Sequence, residues 1–463
     1  MKNSKNRKIV FLLYTIIGLF LAISLYLVYF QLFKSNDLNN DSRNARNFID
    51  ESTIKRGTIY DKNGLELAYS KKVDDSYQRI NRYNFMYSSI IGYNSSKYGK
   101  SGIEASYNTD LLNINNNKDF FTKIDSLIKP VDGNDVYLTI DDNLQSYAYD
   151  LLGDLSGSVI VSNPNTGKIL AMVSKPTLNV NNIDEDWEQI INSKNGELLN
   201  RPTQGHYEPG SIFKTLSSLV FLRSGIDLDY YDTGEATIDG HSVYNFDNGI
   251  YGEMDLEKAL NVSANTYYYE KSQLVSNADF RKAILDFGIG KKFDFPLNIV
   301  QSEFPFKDSL SAIDKGNSAF GQGLTYVNPL DMSLIVNGIA NKGIVQKPIL
   351  VDKVVRSGIE LPTKEEVLSS EVESQYANII KSYMKSTAEY NNYTDYIETS
   401  LAGKTGTAEN GQGSYNTWFM GMAPAEEPKY TIIIVIEHQD EASGSNAAPI
   451  GTRILDYAVQ NID

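Results

Sequence analysis

The chain has 463 residues, 41% of them hydrophobic, which is material for two to four globular units of about 100–200 residues each. Its 43 Lys and Arg against 58 Asp and Glu give a formal net charge of −15, which argues against a nucleic-acid partner, since that requires a basic face. The absence of cysteine excludes thiol nucleophiles, Cys-ligated zinc, iron–sulfur clusters and disulfides, and the scattered His206, His241 and His438 offer little for a His-based triad or metal site.

From Ile9 to Phe30 the sequence runs 22 residues without a charge, and at about 1.5 Å per residue it spans a hydrocarbon core of about 30 Å. A transmembrane helix is expected over 9–33. Lys2, Lys5, Arg7 and Lys8 precede it and no acidic residue occurs before Asp37, so the positive-inside rule places residues 1–8 in the cytoplasm and the rest outside the cell membrane. The run exceeds a signal-peptide h-region and no small-residue cleavage site follows, which favours an uncleaved single-pass anchor.

Residues 34–134 read as a small strand-rich pedestal domain, entered through an Asn/Ser-rich juxtamembrane stretch over 35–47. Between Lys55 and Ser70, the turn Asp61-Lys62-Asn63-Gly64 separates Ile59-Tyr60 from alternating Leu65, Leu67 and Tyr69 and predicts a β-hairpin. Gly99–Leu112 ends in helical spacing. A second domain, 135–463, is expected after the Asp132–Asp135 turn; its first helix is capped by Asp141 and carries Leu144, Tyr147, Ala148, Leu151 and Leu152 on one face. Gly157–Ser174 is a pair of apolar runs around Asn163-Pro164-Asn165-Thr166-Gly167, a hairpin pattern. Asn416–Pro424 and Lys429–His438 are two further strands, and the section between the strand groups, about 180–395, reads mostly helical. Strand pairs joined by short turns imply an antiparallel sheet and an α+β class.

Three elements could carry chemistry. Tyr207-Glu208-Pro209-Gly210-Ser211-Ile212-Phe213-Lys214 opens a helix, and Ser211 and Lys214 at i and i+3 share one face. A buried lysine loses its proton more readily and can serve as base for a neighbouring serine. Ser-x-x-Lys recurs at Ser52, Ser126 and Ser382, so spacing alone does not select Ser211. Ser263-Ala264-Asn265 supplies a hydroxyl for proton relay and a carboxamide able to bind a peptide C=O and N–H. Lys404-Thr405-Gly406-Thr407 supplies a charge and two hydroxyls for a carboxylate, and Gly403 and Gly406 are expected to let a substrate backbone approach the strand.

In order and context, Ser-x-x-Lys, Ser-x-Asn and Lys-Thr-Gly together resemble the set of the penicillin-recognising serine transpeptidases. LLNRPTQGHYEPGSIFK, NPNTGKILAMVS, AFGQGLTYVNPLDMSL, GKTGTAE and WFMGMAP resemble the transpeptidase domain of class B penicillin-binding proteins, especially a small one, and RGTIYDKNGLELA resembles their first N-terminal motif, so the likeness runs from Arg56 onward. The resemblance implies a fold like that of penicillin-binding transpeptidases and serine β-lactamases: an antiparallel sheet with flanking helices and a helical subdomain, preceded by a dimerisation-like pedestal.

The resemblance also implies roles. Ser211 attacks a terminal D-Ala-D-Ala, Lys214 takes its proton, Ser263 relays a proton to the leaving amine, and Asn265 holds the peptide and Lys214. Lys404 tunes the electrostatics, and Thr405 and Thr407, flanking Gly406, receive the substrate carboxylate. Backbone N–H groups of Ser211 and Thr407 form the oxyanion hole. Peptidoglycan stem peptides and β-lactams are the expected ligands, with a membrane glycosyltransferase of the shape, elongation, division and sporulation group as a protein partner; no metal or organic cofactor is needed. Where members often carry His, this chain has Asn416, expected to touch the acceptor side or a loop. Alternatives are a β-lactamase, a D,D-carboxypeptidase using water as acceptor, and a scaffold that activates the glycosyltransferase without needing turnover. Glu197-Leu198-Leu199-Asn200 imitates a β-lactamase deacylation motif but precedes Ser211 instead of following Ser-x-Asn. About 100 residues between anchor and second domain leave no room for an attached glycosyltransferase domain.

Overall fold

The computed structural model describes residues 2–33, 51–114, 132–409, 413–440 and 446–462, with side chains in the first segment described at 11–26 and 29. The Asn/Ser-rich stretch and Ser126 fall outside the described residues. Helix α1 (Lys2–Phe33) is continuous, and Phe11, Leu12, Phe20 and Leu25 stay largely exposed on it. Among the described residues no helix is long and apolar enough to cross a membrane; the side chains described over 11–26 form a shorter run than the roughly 20 residues a span requires.

The first folded unit is built on a six-stranded sheet. The expected hairpin is present: β1 (Ile59–Tyr60) pairs with β2 (Glu66–Val73), which pairs with β3 (Ser76–Asn81). Its turn is closed by the Asp61 carboxylate, which accepts from the backbone N–H groups of Asn63 (2.9 Å) and Leu65 (2.7 Å). Two short helices, Gly102–Ser106 and Asn108–Leu111, occupy the stretch read as helical. Arg56 and Arg79 converge on buried Glu104, at 2.5 and 2.6 Å. Two features were not foreseen. Strand β4 (Asp135–Leu138), assigned to the second domain, lies parallel to β1 in this sheet. The hairpin Val351–Arg356 and Ile359–Pro362, from the section read as helical, extends the same sheet, with Val354 opposite Val136.

The second unit has the expected antiparallel sheet. Its strands are β5 (Gly157–Ser162), β6 (Ile169–Lys175), β7 (Ala402–Glu409), β8 (Tyr415–Ala423) and β9 (Tyr430–Gln439), in the order β7-β8-β9-β5-β6. Because side chains alternate across a strand, Ile432, Ile434 and Ile436 face one core while Ile433 and Val435 face the other. This accounts for the unbroken apolar run of β9, which is buried on both sides. One core holds α2 (Asp142–Leu152) and α7 (Ala447–Asn461). Asp141 caps α2 as predicted, accepting from the N–H groups of Asn143 and Leu144. The other core holds α3 (Lys214–Ser224), α4 (Asn265–Lys271), α5 (Pro329–Ala340) and α6 (Ser374–Tyr390).

The middle section is thus helical only in part. It also carries the pairs Tyr230–Asp232 with Gly252–Met254 and Glu235–Ile238 with His241–Tyr244. The second turns on Asp239-Gly240, both left-handed with φ 49° and 81°, a two-residue hairpin turn that an Asp-Gly dipeptide announces.

Candidate active site

The three expected elements meet beside β7, an edge strand of the sheet. Ser211 lies in the 3-10 turn Gly210–Phe213 that leads directly into α3. Gly210 has φ 56°, and a side chain there would meet the Thr407 carbonyl at 2.5 Å, so only glycine lets the nucleophile turn sit this close to β7. The Gly210 N–H also donates to Gly321 O at 2.8 Å, holding the turn from its other side. Trp418 Nε1 donates to Glu208 O at 3.0 Å and ties the same segment to β8.

Lys214 is fully buried. Its Nζ donates to Ser263 O (2.7 Å), Ser263 Oγ (3.1 Å) and Asn265 Oδ1 (2.7 Å). Lys404, 1% exposed, donates to the same Ser263 Oγ at 3.1 Å and to Thr405 O at 3.0 Å. Neither lysine has a carboxylate partner among the described residues, so burial is uncompensated and favours the neutral amine. Burial, and then the Lys404 charge, hold Lys214 well below the usual lysine range. Burial alone brings Lys404 down to about 7. Ser263, between the helix Leu256–Asn261 and α4, has φ 57°, a conformation non-glycine residues seldom adopt; it is held there by the two lysines.

A cleft of about 1210 Å³ opens over this arrangement, and Ser211, Ser263, Asn265, Thr405, Gly406 and Thr407 line it. Lys214 and Lys404 lie beneath. All eight residues singled out from the sequence therefore gather in one place. The Ser211 hydroxyl makes no hydrogen bond among the described residues, which leaves it free to turn toward a substrate. Thr405 Oγ1 lies 2.7 Å from Tyr393 Oη, and Thr407 O accepts from Gln322 Nε2 at 3.3 Å.

Gly403 and Gly406 also make room for the protein itself: a side chain at 403 would strike the Phe419 ring, and one at 406 would strike Pro209 O at 2.8 Å and Ile212 N at 3.0 Å. Glu197, of the apparent deacylation motif, is held by Ser193 and Asn195 and does not line the cleft. Ser52 lies in the turn Glu51–Thr53, and Ser382 and Lys385 lie on α6, with Lys385 paired to Glu426.

The buried hub behind Ser263 and Asn265 has no counterpart in the sequence reading. Asp232, fully buried, accepts from Asn245 Nδ2 (3.0 Å to each oxygen), Thr266 Oγ1 (2.7 Å) and the N–H groups of Tyr251 (2.8 Å) and Gly234 (3.2 Å). Asn245 Oδ1 in turn accepts from Thr266 N, and Asn265 Nδ2 donates to Tyr244 O. One carboxylate thereby joins the cleft wall at 244–251 to the first turn of α4. Tyr207 and Arg201 are similarly anchored on Glu437, at 2.6 and 3.0 Å.

Residues 157–456 match the penicillin binding protein transpeptidase domain and residues 56–136 the penicillin binding protein A dimerisation domain. The chain is 29% identical over 475 residues to the peptidoglycan D,D-transpeptidase PbpA of Mycolicibacterium smegmatis, covering 93% of this chain and 94% of that one. It superposes with a TM-score of 0.80 on the D,D-transpeptidase domain of a peptidoglycan glycosyltransferase from Eggerthella lenta, at 29% identity, covering 89% of this chain and all of that one. With the imipenem acyl-enzyme complex of penicillin-binding protein A from Mycobacterium tuberculosis the TM-score is 0.81 at 25% identity, covering 89% of this chain and 100% of that one.

Proposed function

The chain belongs to the penicillin-binding protein transpeptidase family, and from that premise we propose that it is a membrane-anchored peptidoglycan D,D-transpeptidase working through an acyl-enzyme on Ser211. The observation that carries this reading is the convergence of two buried lysines on Ser263 Oγ beneath the cleft that Ser211 lines. A neutral Lys214 takes the Ser211 proton as Oγ bonds to the carbonyl carbon of the penultimate D-alanine. The proton passes through Ser263 to the nitrogen of the terminal D-alanine as its C–N bond breaks, and D-alanine leaves. Asn265 steadies both Lys214 and the donor peptide. Thr405 and Thr407 receive the terminal carboxylate, favoured by the Lys404 charge, and the N–H groups of Ser211 and Thr407 face the developing oxyanion. An amine of a second stem peptide then attacks the ester and returns a proton along the same path. Ser211 is freed, and one peptide bond has been made for one broken. β-Lactams acylate the same serine.

The anchor in this reading is α1. Its support is the charge-free run from Ile9 to Phe30, the basic residues before it and the exposed apolar side chains along it. The N-terminus then lies in the cytoplasm, the folded units lie outside, and the pedestal offers the surface for a membrane glycosyltransferase. Full-length protein in detergent, given a stem pentapeptide donor and a diamino-acid acceptor peptide, is expected to release one D-alanine per peptide bond formed, and Ser211→Ala to do neither. D-Alanine release without bond formation would replace the reading by a carboxypeptidase; neither product from wild type would refute it.

A further inference from the structure

We propose that Glu208, Glu409 and Asn416 form the acceptor subsite, holding the amine-bearing side chain of the attacking stem peptide as an ammonium. The inference rests on the transpeptidase reading above and names what that reading leaves open, the place and charge of the second substrate.

The cleft separates two kinds of charge. The lysines beneath it suit a donor that ends in a carboxylate. Its lining carries the carboxylates Glu208, Asp247 and Glu409 and, among the described residues, no Lys or Arg. His206, also in the lining, faces Glu303 at 3.6 Å. A second anionic group is repelled by this set, whereas a protonated amine is attracted to it.

Asn416 is the independent observation. It lines the cleft and is 9% exposed, and its Oδ1 has no hydrogen-bond partner. Among the described residues of the lining it is the only one with a buried polar atom left unpaired, and such an atom calls for a donor. Strand geometry brings the groups together. Asn416 and Trp418, two residues apart, share a face of β8, and Trp418 Nε1 holds the Glu208 carbonyl from that face. Asn416 is opposite Ala408 in the register; Glu409, the next residue, points to the other face of β7 and reaches the cleft lining from this edge strand. Burial, reinforced by the Glu409 charge and opposed by the Gly323 N–H, pushes Glu208 up to about 7. An ammonium seated here supplies Glu208 with a counter-charge and Asn416 with a donor. Glu208 lies three residues before Ser211, just ahead of the nucleophile turn, so a cation bound to it stands next to the acyl-enzyme. The Glu208 carboxylate takes the one proton the ammonium must lose before its nitrogen attacks the ester, and the second proton returns to Ser211 Oγ as the C–O bond breaks.

The test compares two acceptors for the acyl group of an N-acylated D-alanyl thioester: a lysyl peptide with a free ε-amine, and hydroxylamine, which is uncharged at neutral pH. The reading is the ratio of the two transfer rates on full-length protein, because general damage to the site lowers both rates alike. E208Q/E409Q and N416L are each expected to lower the ratio of lysyl peptide to hydroxylamine, the double variant at least tenfold, and N416D to raise it. Ratios within twofold of wild type in all three overturn the proposal. So does a wild type that transfers to hydroxylamine and not to the lysyl peptide. A wild type that neither the thioester nor benzylpenicillin acylates overturns the transpeptidase reading itself, a different result.

Discussion

Replacing Lys404 by Met removes a buried charge while keeping most of the side-chain volume, and the structure sets the size of the effect. Burial lowers Lys404 from 10.5 to about 7, a difference of about 3.5 pKa units at 1.36 kcal/mol each, or about 5 kcal/mol against the charged form. A lysine lowered on folding leaves the unfolded chain binding more protons between these values, so stability rises with pH from about 7 to about 10.5, and the penalty is complete below 7. The Met variant lacks this term but also lacks the bonds to Ser263 Oγ and Thr405 O, worth about 1 kcal/mol each. Lys404→Met is therefore expected to be more stable than wild type by about 3 kcal/mol below about pH 6 and about 2 kcal/mol at pH 7, with the advantage gone near pH 9. Urea unfolding followed through the fluorescence of buried Trp418, one of two tryptophans, measures it. Parallel stability–pH curves for the two proteins, or a wild type more stable at pH 7, would refute the claim that Lys404 is held near neutrality by burial.

The same titration has a catalytic face: as Lys404 loses its proton above about pH 7, the apparent KM for donors ending in a carboxylate is expected to rise, while that for the amidated donor stays level; equal pH profiles would contradict it. Gly210→Ala places a side chain 2.5 Å from Thr407 O at φ 56°; it is expected to cost at least about 1–3 kcal/mol in unfolding free energy and to slow acylation by benzylpenicillin more than tenfold. Asp232→Asn leaves one oxygen to serve donors now shared between two. A loss of about 1–3 kcal/mol is expected, with a tenfold or greater fall in acylation rate as Ser263 and Asn265 lose their backing, and an unchanged rate would show that the hub does not position them.

The parts of the molecule legible in its sequence are those encoded locally. The Asp61–Gly64 hairpin, the Asp141 cap and the apolar runs of strands β8 and β9 are each written in adjacent residues, and each stands where expected. Ser211, Lys214, Ser263 and Lys404 were legible because their order and spacing repeat a family pattern, although nothing local shows that both lysines turn to one hydroxyl. Long-range pairing was not legible: the strand at 351–356 reaches β4 across more than two hundred residues, and its apolar run is too short to separate strand from helix. Asp232 was hidden for a related reason. An isolated Asp beside two tyrosines looks like a solvated turn until the fold closes Asn245 and Thr266 over it. Asp239-Gly240, by contrast, carried a hairpin signal that the helical reading of the middle section overrode. Gly403 and Gly406 were marked as sites of close approach, although nothing local shows that Phe419 and the nucleophile turn are packed against them.

The central claim is that Ser211 is the acylated nucleophile, and intact-mass spectrometry after incubation with benzylpenicillin tests it most directly. Wild type is expected to gain one lasting penicilloyl mass, mapped by peptide digestion to Ser211, and Ser211→Ala to gain none. Rapid drug hydrolysis without a lasting adduct, or an adduct that persists in Ser211→Ala, would contradict it.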